Sequence, residues 1–144
     1  MFKKSKILTN DVTVVYKQDN KKKLNYQKVL WSSESSMIGR FWLLKKLIKK
    51  KRFDTWLDVG CGTGDIFSYF SKNKILKYGI EQSRYLYRLA KKENPDVTIL
   101  NRSLNNFNRK DNKFSLVSCI GVLQNCGCAP ALFLNKICKL IEKN

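Results

Sequence analysis

Asp58, Gly60, Gly62 and Gly64, followed 17 residues later by Glu81, are the positions of this 144-residue chain whose types and spacing can do chemistry. Glycine at alternate positions removes the Cβ atoms where a backbone turns sharply and a ligand approaches it. A carboxylate at the end of the next strand has two oxygens, enough to accept both hydroxyls of a ribose across the crevice from such a turn. A dinucleotide fingerprint would read G-x-G-x-x-G, with pyrophosphate resting on the helix N-terminus. Here Asp65 stands where the third glycine would fall. Its charge would face the pyrophosphate, which argues against nicotinamide and flavin dinucleotides.

These residues need strands and helices to hold them. Trp56, Leu57 and Val59 predict a buried strand before the glycines, and Ile66, Phe67, Tyr69 and Phe70 recur at helical spacing after them. A second strand is predicted over 75–80. A helix follows over 84–93, with Ser83 as its N-cap and Pro95 just beyond its end. Strands over 97–100 and 114–120 and a last helix from Ala129-Pro130, with Leu132, Phe133, Ile137, Leu140 and Ile141 inward, complete an α/β alternation. The parallel sheet is predicted in the order 3-2-1-4. Ahead of the glycines, 24–30 reads as a short helix. A second helix over about 36–50 puts Met37, Phe41, Leu44 and Ile48 on one face, with Ile38, Leu43 and Leu47 beside them and a run of lysines at its end.

Asp58, Gly60, Gly62 and Gly64 resemble motif I (D-x-G-x-G-x-G) of the class I S-adenosylmethionine-dependent methyltransferases, and Tyr78-Gly79-Ile80-Glu81 resembles motif II. The resemblance covers about residues 31–144. It implies a Rossmann-like methyltransferase sheet, truncated after the fourth strand and its helix, with S-adenosylmethionine as cofactor. Cys61, within the turn, and Gln82, after the acid, belong to the implied cofactor site. The acid that often meets the adenine amino group falls on Ser103, so its hydroxyl or backbone groups at Leu104 would serve instead. Ser115 stands where the fourth strand commonly carries an acid. Gln124 and Asn125 fall at the substrate-facing strand end, where turn chemistry explains them equally well. Within 31–42, a stretch similar to the family's cofactor-covering segment, Arg40 and Glu34 are the polar candidates, with Tyr26 just before it. Without later strands the fourth would leave an open edge, a route to self-association.

Composition bounds the rest. The net charge is +18, of which residues 1–52 carry +12 (15 basic, three acidic) and 53–144 carry +6 (14 basic, eight acidic). A basic N-terminal arm over 1–30, with a short hairpin suggested over 6–18, would precede the domain over 31–144. Such an arm can steer nucleic acid, an anionic membrane surface or a phosphorylated substrate. Five cysteines form no paired framework and there is no histidine, so no metal site is expected and reduced thiols point to the cytoplasm. No apolar run is long enough to span a bilayer. Methyl transfer is an in-line displacement that needs positioning rather than a covalent nucleophile, which suits a chain lacking histidine. The expected function is methylation of a small molecule such as a sugar, lipid head group or other metabolite. The alternatives are methylation of RNA, and an inactive relic or cofactor-binding module.

Overall fold

The computed structural model describes residues 24–72, 74–107, 113–123 and 129–142. The suggested hairpin over 6–18, and Gln124 and Asn125, lie outside them. The elements run α1 (Asn25–Lys28), α2 (Glu34–Ile48), β1 (Thr55–Val59), α3 (Asp65–Tyr69), β2 (Leu76–Ile80), α4 (Arg84–Glu93), β3 (Thr98–Leu100), a 3₁₀ turn (Leu104–Asn106), β4 (Leu116–Ser118) and α5 (Pro130–Cys138). All strand pairs are parallel and the order is β3-β2-β1-β4, as the sequence predicts.

β1 lies inside the sheet and has both faces covered, which is why it reads as a near-continuous apolar run. Alternation divides its side chains between two cores. Trp56 joins Met37, Phe41, Ile66, Phe67, Phe70, Ala90 and Ile99 on the face covered by α2, α3 and α4. Its indole meets Phe67 and Phe70 edge-on, with centroids 5.6 and 5.1 Å away. Leu57 and Val59 point to the other face and pack with Ile80, Leu104, Phe114, Phe133, Ile137 and Leu140 under α5.

Three expectations need correction. In α2, Met37 and Phe41 are buried and Leu44 and Ile48 partly so, but Ile38, Leu43 and Leu47 face outward, because the sheet covers only one side of the helix. Leu132 is likewise exposed on α5, where Phe133, Ile137 and Leu140 do the packing. β4 is shorter than 114–120 because side chains replace ladder bonds at its start. The Ser115 hydroxyl accepts from the Asp54 and Thr55 amides, both at 3.0 Å, and donates to the Thr55 carbonyl at 2.9 Å. Phe114 instead pairs outward with the chain after α5. It donates to the Leu140 carbonyl (2.8 Å) and accepts from the Glu142 amide (3.0 Å), so the start of the expected open edge is covered.

Candidate cofactor site at the glycine turn

The turn leaving β1 is held from below by β2. The Gly60 and Cys61 amides both donate to the Ile80 carbonyl, at 2.8 and 3.2 Å. Gly60, Gly62 and Gly64 all adopt left-handed φ, at +74°, +58° and +81°, which L side chains rarely tolerate. Space is closed as well. A Cβ on Gly60 would lie 2.5 Å from Val122 Cγ2, and one on Gly64 2.5 Å from Asn94 Nδ2 and 3.3 Å from Ala90 Cα. Glu81 completes the turn from the end of β2. Its carboxylate is buried and accepts from the Gly62 amide (2.9 Å) and the Ser83 amide (2.8 Å). Burial raises its pKa, while the amides of Ser83, Gly62 and Gln82 pull it back.

Asp58 is the second buried acid. Trp56 Nε1 donates to Ser118 Oγ at 2.7 Å, and the Ser118 hydroxyl donates to the Asp58 carboxylate. Desolvation pushes the Asp58 pKa up to about 7, with the Ser118 bond opposing and the Glu81 charge adding to the rise. The Cys61 thiol is raised well above its usual range by burial first, then by Asp58 and Glu81. It is therefore a packed neutral thiol, with its sulfur 2.9 Å from where a Cβ on Gly79 would stand. Among the described residues, no cation figures in the shifts of Asp58 or Glu81. Such a pair suits a ligand that brings positive charge and hydroxyls with it.

The segment from α1 to α2 lies over the turn. Asn25 Nδ2 donates to Asp65 Oδ1 at 2.8 Å, and the Thr63 hydroxyl occupies the other Asp65 oxygen. Val29 stands against Gly62, 2.7 Å from the position of a Cβ there, and Trp31 stands against Gly121, 2.8 Å from its Cβ position. Leu30 joins these contacts in a left-handed conformation, φ 61°. The cleft under this cap is bounded by Trp31, Asp58, Gly60, Gly62, Asp65 and Ile120. Its volume is about 40 Å³, against roughly 300–1,000 Å³ for pockets that enclose a small molecule.

Of the remaining candidates, Gln82 is exposed, and its carbonyl, with that of Glu81, is held by Asn101 Nδ2 (3.1 and 2.8 Å). The Ser103 hydroxyl caps the 3₁₀ turn by accepting from the Asn106 amide at 3.3 Å. The Leu104 side chain is buried in the α5 core, which leaves only its backbone for a ligand. Arg40 is exposed at the rim, its guanidinium 4.1 Å above the Trp31 ring. Glu34 is exposed in the first turn of α2, and Tyr26 is half-buried, its carbonyl accepting from the Trp31 amide. Sequence reasoning missed Asn25, Asn101 and Ser118. Their partners are 40, 20 and 60 residues away, and no local pattern announces them. Among the described residues no group of three His, Cys, Asp or Glu side chains could hold a metal ion, and no helix is long and apolar enough to cross a membrane.

A glycine turn after β1, a buried acid ending β2 and a parallel β3-β2-β1-β4 sheet define a class I methyltransferase fold. A family profile described as a methyltransferase domain matches residues 57–144, and the chain belongs to that family. A search of curated proteins finds no match. Among solved structures, the plantazolicin methyltransferase BpumL in complex with S-adenosylhomocysteine is similar, with TM-score 0.62 and 19% identity over 91% of this chain and 53% of that one. The sugar N-methyltransferase KedS8 from a Streptoalloteichus species has TM-score 0.61 and 15% identity over 76% and 50%. A methyltransferase from Thiobacillus denitrificans, also in complex with S-adenosylhomocysteine, has TM-score 0.59 and 18% identity over 72% and 44%. The chain spans about half the length of these proteins.

Proposed function

We propose that this chain binds S-adenosylmethionine at the glycine turn and directs its methyl group to a small-molecule acceptor such as a sugar, a lipid head group or another metabolite. The observation that carries the reading is the buried Glu81 carboxylate, hydrogen-bonded to the Gly62 amide at the end of the strand beside the turn. Each of its oxygens accepts one amide, which leaves lone pairs for ribose hydroxyls. Gly60, Gly62 and Gly64 admit the ligand to the backbone, Asp58 supplies negative charge for its methionine end, and Ser103 with the Leu104 backbone borders the adenine side. Two solved neighbours bind S-adenosylhomocysteine, the demethylated form of this cofactor.

The cofactor supplies an electrophilic methyl on a sulfonium, so the protein's work is to align an acceptor and exclude water. Val29 and Trp31 provide that exclusion by roofing the cleft. The carboxylates nearest the turn are already engaged, Asp65 by Asn25 and Thr63 and Asp58 by Ser118. They orient the site rather than abstract a proton, and Arg40 on Trp31 is the exposed group at its mouth.

The tests are photolabelling with methyl-tritiated S-adenosylmethionine and, in separate unirradiated samples, methyl transfer from the same donor to a panel of sugars, phospholipid head groups, peptides and RNA. Labelling blocked by S-adenosylhomocysteine and absent in Glu81→Ala is expected, with label passing to a small molecule. Labelling that survives Glu81→Ala would remove the site, and transfer confined to RNA would replace the acceptor class.

A further inference from the structure

We propose that the outward face of α2 docks on an anionic lipid surface, a function separate from the cofactor site. α2 carries apolar residues all round its axis, whereas a helix covered on one side only needs a single apolar stripe. Its inner row, Met37, Phe41, Leu44 and Ile48, meets the core. Trp42 (49% exposed), Leu43 (52%) and Leu47 (67%) are left on the far side. Leu43 and Leu47 are one turn apart and form an exposed pair on one flank, while Trp42 lies on the other.

Charge identifies the occupant. Lys45, Lys46, Lys49, Lys50, Lys51 and Arg52 are all exposed, and Glu34 and Asp54 are the acids closest in sequence on either side. Lys46 Nζ lies 3.9 Å over the Trp42 ring, so cation and indole share one contact surface. Lysines interleaved with leucines and a tryptophan match a headgroup layer, where ammonium groups meet lipid phosphates, leucines reach the acyl boundary and indole sits at the interface. A nucleic-acid backbone would use the lysines but leave Leu43 and Leu47 without a partner, and a second copy of this face would set one lysine cluster against another.

The experiment uses the full chain and phosphatidylcholine vesicles, with and without one third of the lipid replaced by phosphatidylglycerol. Expected are co-sedimentation with the anionic vesicles alone and a blue shift of emission that is quenched by brominated acyl chains and absent in Trp42→Phe. Replacing Lys45, Lys46, Lys49 and Lys50 by Gln should weaken partitioning by about a hundredfold or more. Leu43→Ser with Leu47→Ser should weaken it by at least about tenfold. Both sets are exposed, and circular dichroism checks that the variants fold. Binding unchanged by the leucine substitutions overturns the proposal, as does a folded parent chain that ignores anionic vesicles. Single-stranded RNA binding without vesicle binding, or a dimer in sedimentation that Trp42→Ala dissolves, overturns it in favour of those partners. Because none of these substitutions touches the glycine turn, cofactor binding measured on the same variants should stay at the parent value.

Discussion

The two ends of the cleft are built differently. At the glycine turn the polar groups are buried and paired. Glu81 holds two backbone amides, Asp58 holds Ser118, and Ser118 holds Trp56. At the β4 exit Arg40 is exposed and Trp31 half-buried. Arg40 rests on Trp31, and Trp31 rests on Gly121. A rigid, desolvated half suits one invariant ligand that reaches the backbone, whereas an open half leaves room for an acceptor to bring its own contacts. Substitutions at the first end should therefore cost binding and stability together, and those at the second should leave the fold intact.

The largest expected effect is at the turn itself. Glu81→Ala and Gly62→Val should each reduce S-adenosylhomocysteine binding by on the order of a hundredfold or more, measured by equilibrium dialysis. The first removes the acceptor of the Gly62 and Ser83 amides, and the second drives a branched side chain into Val29 from a left-handed backbone. If either variant kept parent affinity, the contrast between the two ends would fail.

Next is pH. The Asp58 pKa stands at about 7 in the fold against 3.8 for an ordinary aspartate, so the folded chain holds a proton that the unfolded chain releases. This contribution is present in full below about pH 3.8 and is lost as pH rises through about 7. It amounts to ~4 kcal/mol at most by linkage. Glu81, also raised, acts in the same direction. Urea unfolding should show lower stability at pH 8 than at pH 5.5, and Asp58→Asn should flatten the slope. With the cofactor bound as proposed, its sulfonium would favour the ionised form of Asp58, so S-adenosylmethionine should release more protons on binding near pH 7 than S-adenosylhomocysteine does. Calorimetry in two buffers of different ionisation heat reads that difference.

Two smaller effects sharpen the contrast. Ser118→Ala leaves the Trp56 Nε1–H without its acceptor and Asp58 without its donor, and should cost about 1–3 kcal/mol by urea denaturation. At the cap, Leu30 is exposed and held at φ 61°. Leu30→Gly should relieve that strain and stabilise the chain by up to about 1 kcal/mol, seen as a modest rise in melting temperature.

Much of the glycine-turn side could be read from the sequence because its signals are local. Gly60, Gly62 and Gly64 announce the turn, Ile80-Glu81 the strand end, and Ser83 the cap of α4, whose limits fall at 84–93 as expected. The cap over the turn was legible only in part: Trp31 opens the stretch expected to cover the cofactor, but the pairing of Asn25 with Asp65 across 40 residues and the packing of Val29 into the space that Gly62 leaves have no local signal. The outward leucines of α2 were misplaced for a different reason. Apolar residues all round a helix do not say which side meets the sheet, and only the packing of Met37 and Phe41 decides it.

The most direct test of the central claim is calorimetric titration of the parent chain with S-adenosylmethionine, S-adenosylhomocysteine and NADH. Saturable one-site binding of the first two and none of NADH is expected, because Asp65 at the start of α3 would face its pyrophosphate. A folded chain that binds neither adenosyl ligand, or saturable NADH binding that displaces S-adenosylmethionine, would contradict it.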